Sequence, residues 1–215
     1  MTLLITSLNS STSGRTCTII LSDQSYFQLS FDWALANNFR AGFEVTPDIL
    51  QKIKHHSSYF RLKEYALRQI AISPKTETKL RLKMRLYCQK HTINMPKTTE
   101  VIISEIKQLG LLDEKKYIEY YQRRFPNKST LMLQQGLLAC GISRTSLNLY
   151  LKVNNQQNRN NIIKLLAKKH VTRQTLGNVL EKNRILSMIL RKGFSIGEAK
   201  SAIDDYLNSL YNKLS

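Results

Sequence analysis

Residues suited to covalent or metal chemistry are few in this chain and poorly spaced for it. Asp113-Glu114 and Asp204-Asp205 are its acidic doublets. Asp113 stands where a helix N-cap is needed, and Asp204-Asp205 fall on the surface of a helix. A two-metal nuclease needs more carboxylates converging on one point. His55 and His56 are adjacent, so on a helix they point apart and are poorly placed to share a metal. His91 and His170 have no Cys or carboxylate at ligand spacing. No phosphate loop, nucleophile elbow or His-Glu-x-x-His is present. Cys17, Cys88 and Cys140 are odd in number and far apart, which argues against a disulfide framework and for a reducing, cytoplasmic setting. These residues predict no enzyme, no metal and no cofactor.

The residues that stand out are basic. Lys and Arg total 33 against 15 Asp and Glu, a net charge of +18. A surplus that large repels itself in a compact fold and calls for an acidic partner. Nucleic acid is the natural one, because cations that meet phosphates release counterions. Residues 1–50 carry two basic and four acidic residues, net −2, and residues 51–215 carry 31 and 11, net +20. The partner surface is therefore expected after about residue 50.

Lys79, Arg81, Lys83 and Arg85 make the densest basic run. On a helix they spread over more than one face, so some meet a partner while others are only solvated. Arg123-Arg124 and Arg191-Lys192 each close a helix, where cations also favour the helix dipole. Lys164, Lys168 and Lys169, with His170, form a further patch. Tyr117, Tyr121 and Phe125 recur every four residues. They could stack on bases, but the spacing favours a helix core. Trp33 is expected to anchor the N-terminal region.

Helices must carry these residues. Residues 1–14 read as a flexible leader ending in Asn9-Ser10-Ser11-Thr12-Ser13-Gly14, and they do not resemble a signal peptide. Residues 16–31 read as a small β-hairpin, with turn chemistry at Ser22-Asp23-Gln24-Ser25. A short helix follows over 32–38. A second starts at Thr46-Pro47-Asp48, with Thr46 as cap and Pro47 in the first turn. A third spans 59–71 and stops at Ser73-Pro74. Leu80 to Leu86 alternates like a strand, but its residues are good helix formers without β-branching and Thr76 can cap it, so a helix is expected. Residues 98–109 form the next, with Gly110 after it, and residues 113–125 another, ending before Pro126. No apolar run is long enough to span a membrane.

The C-terminal half repeats itself. Leu133, Leu137, Leu138, Gly141, Ile142, Ser143, Leu147 and Leu151 match Ile185, Ile189, Leu190, Gly193, Phe194, Ser195, Ala199 and Ile203 at a constant offset of 52 residues. Each copy is a helix, a break where Gly takes the left-handed position and Ser caps, and a second helix. Ser195 to Glu198 is a full capping box. A weaker copy spans Lys79 to Leu109, with its break at Ile93-Asn94. The expected fold is mainly α: tandem three-helix units stacked in an elongated, curved array with a small N-terminal hairpin. The expected divisions are 15–57, 58–125, 126–155 and 156–215.

Leu109-Gly110-Leu111-Leu112-Asp113-Glu114-Lys115-Lys116-Tyr117 resembles the central signature of the RecX family. Leu190-Arg191-Lys192-Gly193-Phe194-Ser195 resembles that family's C-terminal motif. Tyr65-Ala66-Leu67-Arg68 with Ser73-Pro74-Lys75-Thr76-Glu77 resembles its entry segment, and Ala41-Gly42-Phe43-Glu44 fits the N-terminal part of longer members. The resemblance implies a regulator that binds RecA–DNA filaments and damps ATP hydrolysis, strand exchange and co-protease activity in DNA repair and the SOS response. It implies Gly110, Asp113, Tyr117, Gly141, Gly193, Phe194 and Ser195 as a structural signature. It also raises Arg191 and Lys192 as partner contacts. The expected partner is the RecA filament, with DNA met through the filament or weakly alone, by a monomer. The chain departs from the pattern at Lys79, where relatives carry Glu, and at Cys140, where they carry a basic residue. It also departs over Thr130 to Cys140, which holds no charge and places Gly136 mid-helix. A basic helix-turn-helix protein that binds DNA or RNA by itself is the alternative.

Overall fold

The computed structural model describes residues 2–12, 14–93, 96–151 and 155–212. They form two compact units, Met1–Leu112 and Asp113–Ser215.

The first unit opens with an antiparallel sheet of four strands, β1 (Leu3–Ser10), β2 (Thr16–Leu21), β3 (Tyr26–Ser30) and β4 (Glu44–Val45), in the order β3-β2-β1-β4. The hairpin expected over residues 16–31 is thus the β2–β3 half of a larger sheet. Most of the expected leader is strand: Ile5 pairs with Leu21 and Ser10 with Cys17. Ser13 lies outside the described residues. The segment Ala41 to Glu44 is tied to β1, because Ile5 N–H donates to Phe43 C=O at 3.0 Å and Gly42 N–H to Ile5 C=O at 2.9 Å. Alternation in β2 turns Cys17, Ile19 and Leu21 inward, onto Leu29, Val45 and Ile53. Helix α1 (Phe31–Ala36) carries Trp33, whose ring stacks on His56 at 4.1 Å and meets Phe39 edge-on at 5.4 Å.

Helix α2 runs unbroken from Pro47 to Ile72, where two separate helices were expected. The Thr46 side chain accepts from Ile49 N–H at 3.4 Å and Pro47 fills the first turn. Its start covers the sheet through Ile53. Its later turns pack Leu62 and Ala66 against α3 (Glu77–Lys90) and α4 (Pro96–Gln108), around Leu80, Met84, Ile102, Ile103 and Ile106. Thr76 caps α3, accepting from Lys79 N–H at 3.2 Å. The strand-like alternation of Leu80 to Leu86 resolves as helical: Leu80 and Met84 are buried, while Leu82 and Leu86, on the opposite side, are 56% and 55% exposed. After α3 the chain turns at Thr92, which adopts φ = +54° while Ile93 N–H reaches back to Cys88 C=O at 2.9 Å. Asn94, the other half of the expected break, lies outside the described residues.

The second unit holds two more three-helix cores. Helices α5 (Glu114–Arg124), α6 (Thr130–Ala139) and α7 (Arg144–Tyr150) enclose Tyr117, Ile118, Tyr121, Leu133, Leu137, Ile142, Leu147 and Leu151. Residues 113–125 were expected to complete the first helical unit, but α5 packs with α6 and α7 instead. Helices α8 (Asn155–Lys168), α10 (Val179–Arg191) and α11 (Ile196–Asn212), with the short α9 (Arg173–Gly177), enclose Ile162, Leu166, Ile185, Ile189, Phe194, Ala199, Ile203 and Tyr206. The repeat at offset 52 is structural: Leu133, Leu137, Ile142, Leu147 and Leu151 are buried, and so are Ile185, Ile189, Phe194, Ala199 and Ile203. Gly141 and Gly193 close the equivalent helices at φ = +84° and +81°. The chain is mainly helical with a small N-terminal sheet.

Candidate functional site

The basic residues singled out from sequence fall on helix surfaces and helix ends, with differing freedom. On α3, Lys79 and Arg85 are exposed and Lys83 is half-buried. Arg81 turns toward α4. Its Nε and Nη2 donate to Glu77 Oε1 at 3.0 and 2.8 Å, and its Nη1 bonds Glu100. Lys107 Nζ takes the other Glu77 oxygen at 2.8 Å. Lys107 and Arg81 together hold the Glu77 carboxyl below its ordinary range, and the Arg81 guanidinium is raised by Glu100 and Glu77. Arg81 therefore fastens α3 to α4. A parallel clasp joins α2 to α4, where Lys63 Nζ lies 2.7 Å from Glu105 and the Tyr59 hydroxyl donates to the same carboxylate at 2.7 Å.

At the end of α5, Arg123 and Arg124 are exposed. Arg124 Nη1 donates to the Tyr120 hydroxyl at 2.9 Å and its guanidinium sits 5.9 Å from the Phe125 ring. Lys128 Nζ covers the same ring at 4.2 Å, a cation–π contact. Lys164 and Lys168 lie one turn apart on α8, exposed, with Lys169 beside them. Arg191 ends α10 and Lys192 is its C-cap, both exposed. Cations there favour the helix dipole and remain free to meet an anion.

The glycine and aromatic signature is architecture. Asp113 caps α5, accepting from Lys116 N–H at 3.1 Å. Tyr117 is 2% exposed and Phe194 is 3% exposed. Gly110 adopts φ = +66° past the end of α4, with Leu111 N–H bonded to Ile106 C=O at 3.2 Å. Gly193 has a second reason to be glycine: a Cβ there would lie 2.4 Å from Met132 Cγ and 2.7 Å from Ser129 Oγ. Ser195 and Glu198 form the expected capping box, at 2.8 Å from Ser195 N–H to Glu198 Oε2 and 3.2 Å from Glu198 N–H to Ser195 Oγ. The second Glu198 oxygen accepts from Asn158 Nδ2 at 2.7 Å, and Asn158 Oδ1 accepts from Thr130 N–H at 3.2 Å. Burial raises the Glu198 carboxyl, but the bonds from Ser195 and Asn158 outweigh it and hold the group low. Asn161 Nδ2 donates to Pro126 C=O at 2.8 Å. The Gly193–Ser195 corner is thus bolted to the start of α6.

Among the described residues no three His, Cys, Asp or Glu side chains gather as metal ligands, and no helix is long and apolar enough to cross a membrane.

No protein-family model matches the chain. The regulatory protein RecX of Lactococcus lactis subsp. cremoris is 26% identical over 169 residues, covering 75% of this chain and 61% of that protein. The chain therefore spans about three fifths of that relative's length. The regulatory protein RecX of Clostridium acetobutylicum is 23% identical over 186 residues, covering 84% and 85%. A crystal structure of regulatory protein RecX superposes with a TM-score of 0.64 at 16% identity, covering 94% of this chain and 99% of that one. RecX from Lactobacillus salivarius superposes with a TM-score of 0.53 at 20% identity, covering 69% and 96%.

The chain is similar in sequence to the regulatory protein RecX and shares the fold of RecX crystal structures. Against that fold, three groups had escaped sequence reasoning. Lys128 is one, and its signal was an aromatic residue three positions earlier. Asn158 and Asn161 are the others. They stand in an asparagine-rich stretch that looks solvated, yet they are 5% and 2% exposed. With Arg123, Phe125 and Lys128 these two asparagines line a cleft of about 410 Å³. Within the helix over 130–139, the glycine also has a structural cause. Gly136 lies beneath the Tyr121 hydroxyl, which a Cβ would meet at 2.1 Å.

Proposed function

We propose that this chain is a non-catalytic regulator that binds RecA–DNA nucleoprotein filaments and inhibits their ATPase, strand exchange and co-protease activities, acting in DNA repair and the SOS response. The observation that carries this reading is the display of cations on a RecX-type helical scaffold. Arg85, Arg123, Lys164, Lys168, Lys169, Arg191 and Lys192 are all exposed, on a chain of net charge +18. A polyanion lined by repeating protomers suits such a surface. Several modest contacts along one chain add through effective concentration, and each phosphate contact adds salt dependence. The relatives are named regulatory proteins, in keeping with a role in binding rather than chemistry. The monomer is the unit that binds.

The test is a titration of DNA-dependent RecA ATPase. Inhibition well below one regulator per RecA is expected. No effect at a one-to-one ratio would end the proposal.

A further inference from the structure

The cations of this protein sit in two chemically different settings. The solvent side of α3, directly opposite Leu80 and Met84, carries Lys79, Leu82, Arg85, Leu86 and Lys90 at helical spacing. Leu82 and Leu86 are 56% and 55% exposed and stand one turn apart, so their side chains form one apolar patch. Among its described residues, α3 itself places no carboxylate on this side. Glu77, the one acid of α3, has its two oxygens engaged by Arg81 and Lys107. The exposed side of α8 differs. It carries Gln157, Asn160, Lys164 and Lys168 and no large apolar residue.

A phosphate backbone rewards cations and polar donors, and it leaves exposed leucines without a partner. A protein helix rewards both. Its own apolar pair at i and i+4 packs on the leucines, and flanking carboxylates meet the cations. A second copy of this chain would bring like charges together on this face. We propose that the solvent side of α3 docks an acidic amphipathic helix of a protein partner, leaving the α8 side for phosphate. This deepens the filament-binding reading and rests on it for the partner's being a protein.

Two probes test the docking surface without RecA. The first is a synthetic helical peptide of glutamates and leucines, its leucines four apart. The second is a single-stranded oligonucleotide. Both are titrated into the full chain labelled at leucine methyls and lysine ammonium groups. The peptide should shift Leu82 and Leu86, and the oligonucleotide should shift Lys164 and Lys168. The double variant Leu82→Ser/Leu86→Ser, both at exposed sites, should lose peptide affinity by at least about tenfold and keep oligonucleotide affinity within about twofold. Peptide shifts elsewhere, an unchanged peptide affinity, or oligonucleotide shifts centred on α3 would overturn the proposal. The same variant is then tested on RecA–DNA filaments. If the wild-type chain takes up the peptide at α3 but ignores filaments, the filament reading fails and the docking surface stands.

Discussion

Gly136 is the residue whose replacement tests the packing account most sharply. In an ordinary helix interior, Gly→Ala stabilises by about 1 kcal/mol. In α6 the added Cβ would lie 2.1 Å from the Tyr121 hydroxyl and 3.0 Å from Cζ. Tyr121 is 7% exposed and packs on Phe125 at 4.7 Å, so its ring has little room to withdraw. Overpacking of this kind costs about 1–3 kcal/mol. The sum is a loss of about 0–2 kcal/mol where a gain is usual. Tyr121→Phe removes the atom in closest contact, so the double variant Gly136→Ala/Tyr121→Phe should recover stability relative to Tyr121→Phe alone. Urea unfolding followed by circular dichroism measures this. With a slope of about 2 kcal/mol/M, a loss of about 1 kcal/mol lowers the midpoint by about 0.5 M. If Gly136→Ala alone raises the midpoint, the ring moves freely and the reasoning fails.

Other outcomes follow from the same contacts. Thr92 is a β-branched residue at φ = +54°, so Thr92→Gly should stabilise by about 1 kcal/mol, seen as a higher urea midpoint; an unchanged or lower midpoint would contradict the strained turn. Arg81 and Arg85 should separate: Arg81→Ala lowers stability through lost ties to Glu77 and Glu100, whereas Arg85→Ala leaves the melting temperature unchanged and weakens binding. Equal effects in both assays would refute that division. Glu77, held down by Lys107 and Arg81, and Glu198, raised by burial but held lower by Ser195 and Asn158, both have depressed folded values. Their contribution is complete above the unfolded value of about 4.3 and is lost as pH falls through the folded values. Glu198→Gln should therefore flatten the loss of melting temperature in acid, and an unchanged acid profile would count against the Asn158–Glu198 tie.

The repeat was legible because Gly141 and Gly193 do the same backbone work 52 residues apart, and spacing survives where side chains vary. The weaker first copy was harder to read because Thr92 occupies the corresponding left-handed position. The caps at Thr46, Thr76 and Asp113 were legible because a side-chain oxygen before a helix has a local partner. Strand β1 was not. Its polar Thr6, Ser7 and Asn9 resemble a leader, and only pairing with β2 gives them order. The division at residue 113 was hidden as well, since Pro126 looks more like a boundary than the turn at Gly110 does. At the candidate surface, basic runs announce themselves. Pairing does not: Arg81 is neutralised in part by Glu100, nineteen residues away. The roles of Asn158 and Asn161 depend on Glu198, Thr130 and Pro126, contacts that no local pattern encodes.

The central claim is that exposed cations on a RecX scaffold engage RecA–DNA filaments. The most direct measurement is RecA ATPase on single-stranded DNA, titrated with the wild-type chain and with Arg191→Glu/Lys192→Glu. The wild-type chain should inhibit well below one molecule per RecA, and the charge-reversed chain should need several-fold more protein, with its melting temperature unchanged. Undiminished ATPase at equal amounts of wild-type chain and RecA would contradict the claim; equal inhibition by both chains would remove Arg191 and Lys192 from the surface.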